Sequence, residues 1–351
     1  MLAGLGWWWW QKKNPQIIPL QKLPVVVVVA PKKSPPPSRE IVLPVIAKPA
    51  PPLKPLVISS PSANDFPRPV CDGLEAQVAL MRRGISSGSI DGAIGSQTRA
   101  ALAEFQRAEH LPETSALDAA TREKLELDAE LVADYTVTTN DLARLQPIGK
   151  TWVEKSQQSA MDYETILELV AEQSHAHPLL IKKLNPGVDW ANVTAGTILK
   201  VPAADFPTPA DKAALVVIHL SGKFLEAFDA ATNLLLHCPC SIAAKVEKRP
   251  VGELHVTVIA PHPNYTFDPA VFPESPEAQA IGHKLILPPG PNNPVGTTWM
   301  SLDKLGYGMH GTPSPEQVGR TESHGCFRLA NWNAEYLLQL IWVGLPVRVE
   351  P

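Results

Sequence analysis

Towards one end of the chain the sequence reads His310-Gly311-Thr312-Pro313 and then, with twelve residues separating it from His310, Ser323-His324-Gly325-Cys326-Phe327-Arg328-Leu329. A cysteine nucleophile needs a base in reach, surroundings that favour thiolate, and donors for the developing oxyanion. A free thiol has a pKa of about 8.5 and is mostly protonated at neutral pH, so a nearby imidazole can activate it. Gly325 leaves the backbone unhindered, which lets the chain turn sharply and aim consecutive amides at one point. Cys326, directly after that turn, would sit where a substrate carbonyl meets both its sulfur and those amides. Two histidines are candidates for the base. His324 is only two residues from Cys326, and side chains so placed in a tight turn usually diverge. His310 lies on a separate segment and can approach through the fold; spacing alone does not decide, but His310 is favoured. Two other uses of Cys326 weigh less. A plain core thiol would not need Ser-His-Gly before it. A zinc site of Cys326, His310 and His324 lacks a fourth ligand. No metal and no organic cofactor is expected.

These residues resemble the signature of the L,D-transpeptidase (YkuD-like) catalytic domain: a His, a spacer, then Ser/Thr-His-Gly-Cys. Arg249-Pro250-Val251-Gly252 and Pro288-Pro289-Gly290-Pro291-Asn292-Asn293-Pro294-Val295-Gly296 are similar to loops of that family. The resemblance spans residues 212–351. It implies Cys326 as nucleophile and His310 as base, with the Gly311 carbonyl orienting the imidazole. It implies an oxyanion hole from the amides of His324, Gly325 and Cys326. Ser323 and Arg328 are assigned to substrate binding; Arg328, two after the nucleophile, can hold a carboxylate by a bidentate pair. The implied reaction is acyl transfer from a tetrapeptide stem of peptidoglycan to an acceptor amine, giving 3→3 cross-links. The same motif would also serve an L,D-carboxypeptidase or a D-amino-acid exchange enzyme. A wall-binding protein with a vestigial catalytic domain is the rival from another class.

The elements that must position this site come from the rest of the chain. With 351 residues, there is room for about two or three domains at ~150 residues each. The net charge of −4 gives no electrostatic footprint for nucleic acid. Fifteen of the 37 prolines fall in residues 1–69. Proline fixes φ and lacks an amide donor, so this stretch reads as an extended tether. Met1 to Trp10 is apolar but too short to span a bilayer, and Lys12 and Lys13 follow it where a secretory signal carries its charge first. Three readings stay open: a degenerate membrane anchor with the Trp7–Trp10 cluster at a lipid interface, a start upstream of Met1, or a disordered tail.

Residues 70–132 are expected to form a small α-helical domain. Helical spacing over 74–83 and 96–107 flanks Ser89-Ile90-Asp91-Gly92-Ala93-Ile94-Gly95, with Asp-Gly as a turn signal, and Ala101, Leu102 and Phe105 share one face. A shorter repeat follows, with a helix from Thr121 to Leu127. This resembles a peptidoglycan-binding domain of cell-wall enzymes. In residues 133–204, a strand at Tyr135-Thr136-Val137, helices at Thr165–Glu172 and Pro178–Leu184, and a strand at Ile198–Pro202 resemble a LysM module, an α+β βααβ fold that binds N-acetylglucosamine polymers. About 28 residues separate its first strand from its first helix, more than that family usually has; glycan binding and a spacer role are weighed equally. Residues 212–351 read as mainly β, with a hairpin at Leu215–Leu220 and Phe224–Phe228, strands at Val256–Ile259 and Val347–Val349, and one helix at Glu335–Val343 capped by Asn331 or Asn333.

The chain is thus multidomain, with peptidoglycan stem peptides and glycan as partners and an extracytoplasmic location, in periplasm or cell wall. The modular reading also expects residues 212–351 to fold and act without the units before them. Cys238 and Cys240 are more readily packed thiols than a disulfide, and Cys71 has no evident partner. His219, His237, His255 and His262 are taken as surface or core residues, and His283 as a residue that could line the cleft.

Overall fold

The computed structural model describes residues 66–323 and 325–351. Most of the expected tether, with the Trp7–Trp10 cluster, and His324 lie outside the described residues. Among the described residues no helix is long and apolar enough to cross a membrane.

The N-terminal unit runs β1 (Arg68–Pro69), α1 (Gly73–Met81), α2 (Ser96–Ala108), α3 (Ala119–Lys124) and β2 (Glu126–Leu127). The end of the expected tether is therefore a strand: β1 pairs antiparallel with β2, and Pro69 is tolerated because so short a pair asks little of its missing N–H. The third helix stops at Lys124, not Leu127, because Glu126 and Leu127 supply that partner strand. Asp72 caps α1 by accepting from the Glu75 amide at 3.0 Å. Two buried glutamines hold the two loops. Gln77 Nε2 donates to Asp91 Oδ1, the Ala93 carbonyl and Thr98 Oγ1, while its Oε1 accepts the Asp91 and Gly92 amides. Gln106 repeats the device, donating to Thr114, Ala116 and Thr121 and accepting from Ser115. Every polar atom of each amide is matched, which is what permits burying it.

Next come β3 (Val132–Thr136), α4 (Thr139–Ala143), α5 (Trp152–Ser156), α6 (Ile166–Gln173), α7 (Pro178–Leu184) and β4 (Ile198–Pro202). β3 and β4 pair antiparallel, so the strand–helix–helix–strand order read from the sequence is present. The long insertion between β3 and α6 holds α4 and α5, each opened by a capping box, Thr138 with Asp141 and Thr151 with Glu154.

The rest comprises β5 (Leu215–His219), β6 (Phe224–Phe228), β7 (Leu234–Pro239), β8 (Gly252–Pro261), β9 (Tyr265–Phe267), α8 (Pro276–Ile281), β10 (Leu285–Leu287), β11 (Thr298–Leu302), β12 (Gly308–His310), β13 (Phe327–Arg328), α9 (Asn331–Leu340) and β14 (Pro346–Glu350). Eight strands form one sheet in the order β13-β12-β11-β8-β14-β5-β6-β7, and β9 and β10 form a separate hairpin. Helix α9 covers the sheet, with Ala334, Leu337 and Leu340 in its core. The helix begins earlier and ends earlier than expected. Ala330 is its N-cap, with no side-chain cap bond, and Asn331 inside the helix does other work, described below. A second helix, α8, was not expected; Ser275 caps it and Pro276 opens it.

The described residues fall within one compact unit. The two smaller units share a core that includes Phe105, Tyr163, Leu169, Ile181 and Leu199, and this core runs into the start of α9 through Ala330 and Trp332. Phe206 stacks on Tyr336 of α9 at 4.2 Å. The units expected to divide at residues 132, 204 and 212 are thus packed against one another through this core.

Candidate active site

β12 and β13 run parallel, with Met309 opposite Phe327 and His310 opposite Arg328. Met309 and Phe327 are buried in the sheet core. Side chains alternate along a strand, so His310 and Arg328 face the other way. Cys326 directly precedes β13, so the nucleophile and base singled out in the sequence stand on neighbouring segments. The Cys326 thiol donates to the Gly306 carbonyl at 3.5 Å and its sulfur takes the Gly308 amide. Burial raises its pKa above the ordinary value, and that amide offsets part of the rise.

His310 is buried, 6% exposed. Its Nδ1 lies 2.6 Å from the Gly311 carbonyl. A carbonyl only accepts, so Nδ1 carries the proton and Nε2 has the free lone pair. Burial, helped by the charge of Arg328 and opposed by the Gly311 carbonyl, lowers the imidazole pKa to about 4. The Trp299 ring stacks on it at 5.6 Å. At neutral pH the pair is a neutral imidazole and a neutral thiol.

The Ser323–Cys326 turn differs from expectation. Ser323 Oγ donates to the Cys326 carbonyl at 2.5 Å and accepts the Gly325 amide at 3.2 Å. Its main chain bridges to Ile242 and Ala244. Ser323 holds the turn's shape and is not placed as a substrate contact. The Gly325 amide is engaged inside the turn, so it is not a free oxyanion donor in this state; the expected contribution of His324 lies outside the described residues. A Cβ added at Gly325 would meet nothing within 4 Å, so its role is backbone freedom. Arg328 Nη2 is held by Thr321 Oγ1 and the Glu322 carbonyl. Its Nε is buried without a partner among the described residues.

Three neighbours escaped the sequence reading. Tyr265 of the β9–β10 hairpin is close enough to Cys326 for the sulfur's charge, after burial, to raise its phenol. Behind it Trp152 of α5 stacks on Phe267 at 4.3 Å and lies 6.2 Å from Tyr265. Asn331 sits beneath the His310 loop, accepting the Thr297 and Thr312 amides at 3.2 and 3.0 Å. The capping boxes around α5 were a visible local signal; the partners of Trp152 and Asn331 are over a hundred residues away or in another strand's loop and left none.

The other cysteines and histidines stand apart. Cys71 is exposed, Cys238 and Cys240 are buried, and all three are free. Burial pushes both buried thiols up, as expected of packed thiols. His283 is exposed and turned to its neighbour Ile281's carbonyl. His219 and His237 hold Glu226, at 3.0 and 3.2 Å, where Arg107 of α2 also reaches it.

Residues 213–349 match the model of the YkuD family, "L,D-transpeptidase catalytic domain", and residues 74–125 match "Putative peptidoglycan binding domain". The chain is 24% identical over 185 residues to "Putative L,D-transpeptidase YkuD" of Bacillus licheniformis, covering 53% of this chain and 93% of that protein. It is 28% identical over 177 residues to "Probable L,D-transpeptidase YbiS" of Escherichia coli K12, covering 47% of this chain and only 53% of that protein. Among solved structures, an L,D-transpeptidase from Mycobacterium smegmatis is 22% identical with a TM-score of 0.31, over 45% of this chain and 65% of that one. The Ser-His-Gly-Cys turn and the His310 strand fall inside the first of these matched regions, and the paired-glutamine helical unit fills the second: the chain carries an L,D-transpeptidase catalytic domain of the YkuD family behind a peptidoglycan-binding domain.

Proposed function

We propose that this chain is an L,D-transpeptidase of peptidoglycan working by cysteine acyl transfer outside the cytoplasm. The observation that supports the reading is His310 on β12, beside the strand that Cys326 leads into, with Nδ1 committed to the Gly311 carbonyl so that Nε2 is left to act as base. In the first half-reaction the Cys326 sulfur attacks the carbonyl of the third residue of a tetrapeptide stem as His310 Nε2 takes the thiol proton. The C–N bond to the terminal D-alanine breaks, and His310 returns the proton to the leaving amine. In the second, an acceptor amine attacks the thioester, His310 takes a proton from it, and the sulfur leaves and is reprotonated. The Cys326 amide serves the oxyanion directly, and the Gly325 amide serves it once Ser323 Oγ lets go. Arg328 takes the stem carboxylate through the guanidinium edge that the Thr321–Glu322 loop does not occupy. The peptidoglycan-binding domain, and with it the LysM-like unit, raises the effective concentration of the polymeric substrate at the site.

The test is mass spectrometry of muropeptides after incubation with the pure protein. A 3→3 dimer, absent with Cys326→Ala, is the expected product. Tripeptides alone would make it a carboxypeptidase, and an exchanged terminal D-amino acid an exchange enzyme. Equal products from Cys326→Ala would sink the cysteine mechanism, since no thioester forms without the sulfur.

A further inference from the structure

The base of this site is supported from outside the catalytic domain. His310 is oriented by the Gly311 carbonyl, and that peptide is fixed by Asn331. Asn331 Oδ1 accepts the Thr312 amide at 3.0 Å, one residue beyond Gly311, and the Thr297 amide at 3.2 Å. The fit is close. A Cβ at Gly311 would come within 2.2 Å of Asn331 Oδ1, and one at Gly296, whose φ is +63°, within 2.0 Å. An amide side chain can sit there only one way round, because its oxygen must face two N–H groups. What sets that orientation is the other end. Asn331 Nδ2 donates to Glu172 Oε1 at 3.0 Å and to the Pro291 carbonyl at 3.2 Å. Glu172 belongs to α6 of the LysM-like unit, is steadied by the Tyr163 hydroxyl at 3.2 Å, and meets Asn331 across 159 residues of sequence.

The same unit grips the neighbouring loop. The Met161 amide donates to the Pro289 carbonyl at 2.8 Å and the Met161 carbonyl accepts the Asn292 amide at 2.9 Å. A Cβ at Gly290, whose φ is +146°, would strike the Met161 carbonyl oxygen at 2.1 Å. Glu172 and the insertion ahead of α6 are thus built against the floor of the active site.

We propose that Glu172 and Asn331 are positioning residues for the transpeptidase reaction. Glu172 of the LysM-like unit fixes the Asn331 amide, which fixes the Gly311 peptide, which holds His310 with its proton on Nδ1. The catalytic geometry is completed by the preceding unit, so any displacement of that unit reaches the base. This rests on the cysteine acyl-transfer reading only for its kinetic consequence; the state of the imidazole is a property of the fold.

The experiment uses the full chain, with each variant first shown to be folded by circular dichroism. Two readouts are taken: the tautomer of His310 by long-range 1H–15N NMR, and the rate of Cys326 acylation by a carbapenem followed by mass spectrometry. Glu172→Gln retains an oxygen towards Asn331 and should acylate within about a factor of two of the parent. Asn331→Asp keeps the acceptor for Thr297 and Thr312 but turns an oxygen on Glu172; burial pushes that carboxyl up to about 8, so rates are compared at pH 9, where it is ionised and offers no donor. The Asn331→Asp variant should lose roughly tenfold or more in the saturating acylation rate with little change in half-saturation, since small misplacement of a catalytic group costs rate, not affinity. Combining Asn331→Asp with Glu172→Gln restores a donor opposite an acceptor and should recover several-fold of that loss, the non-additivity expected of a direct pair. In Asn331→Asp the Nδ1–H tautomer should give way to a mixture, and in the double variant it should return. Parental rates and an unchanged tautomer in Asn331→Asp, or no recovery in the double variant, overturn the proposal. A parent chain with the Nδ1–H tautomer but no acylation would refute the transpeptidase reading instead, and the tautomer series would still decide the brace.

Discussion

The charge state of the nucleophile before substrate arrives can be read by changing pH. His310 titrates near 4 where an ordinary imidazole titrates at 6.5. Protonating it in place therefore costs about 3 kcal/mol more than in water, at about 1.4 kcal/mol per pKa unit. Cys326 lies above its ordinary 9.0. Moving the proton from such a thiol to such a base is uphill, because burial pushes the thiol up and the imidazole down. The resting site is therefore not an imidazolium–thiolate pair, and little of Cys326 is thiolate at pH 7. Iodoacetamide needs the thiolate but not the base, which makes it the right probe. Its rate constant at Cys326, measured peptide by peptide so that exposed Cys71 is counted separately, should rise about tenfold per pH unit from 6 to 9 with no plateau. If His310 is the base as proposed, acylation by a carbapenem should stay flat down to about pH 5, falling only as the imidazole protonates near pH 4. A flat iodoacetamide rate between pH 5 and 8 would refute the argument, because it would mean a thiolate already formed.

Other expectations follow from the same structure. His310→Ala should slow acylation by a factor of ~10²–10⁴ without altering binding of the protein to insoluble sacculi, as a pull-down beside the kinetic assay would show. Glu104 of α2 is pushed up by burial and by Glu226, while Glu226, held by His219 and His237, is pulled down against its burial. A carboxyl raised in the folded state stabilises most below its unfolded pKa of about 4.5 and loses that contribution as pH rises towards its folded value, about 8. Glu104→Gln should therefore raise Tm at pH 8 and raise it less, or not at all, at pH 5; equal shifts at both would show that Glu104 does not hold the proton. A fragment starting at residue 203 would expose Trp332, which is 4% exposed in the whole chain, and would lack Glu172. It should bind a hydrophobic dye and acylate more slowly than the full chain on the same soluble probe, and a fragment with full activity would mean the units before it serve binding alone.

Much of the site was legible because its chemistry is local. Ser323 to Arg328 and His310-Gly311 are each short runs, and alternation along two paired strands is enough to put His310 and Arg328 on one face. The helices over 73–81, 96–108, 166–173 and 178–184 were legible too, because each carries an apolar period and an opening signal such as Asp72, Thr165 or Pro178. What failed locally failed for a nameable reason. Asn331 looked like a helix cap, since asparagine just before an apolar run usually is one; its side chain is instead taken by the Thr297 and Thr312 amides, and a buried loop with unpaired N–H groups outweighs one cap. Ser323 looked like a substrate contact because it precedes the nucleophile, yet its hydroxyl closes the turn that aims Cys326.

The larger failure was one of organisation. The excess length between β3 and α6 counted in the sequence only as a departure from a family pattern, and it weakened the glycan-binding reading. In the structure those residues have partners: Trp152 packs on Phe267 and Phe272 of the β9–β10 region, its amide meets Glu277 at 2.6 Å, and Met161 locks the loop around Gly290. An insertion that ends in a stacked tryptophan and paired main-chain hydrogen bonds is not slack. It ties the hairpin that carries Tyr265, the loop before β11 and the Asn331 amide to one preceding unit. Sequence periodicity finds elements one at a time; it is blind to a module whose chief surface faces another module, and there the fold carries information that the chain's local patterns do not.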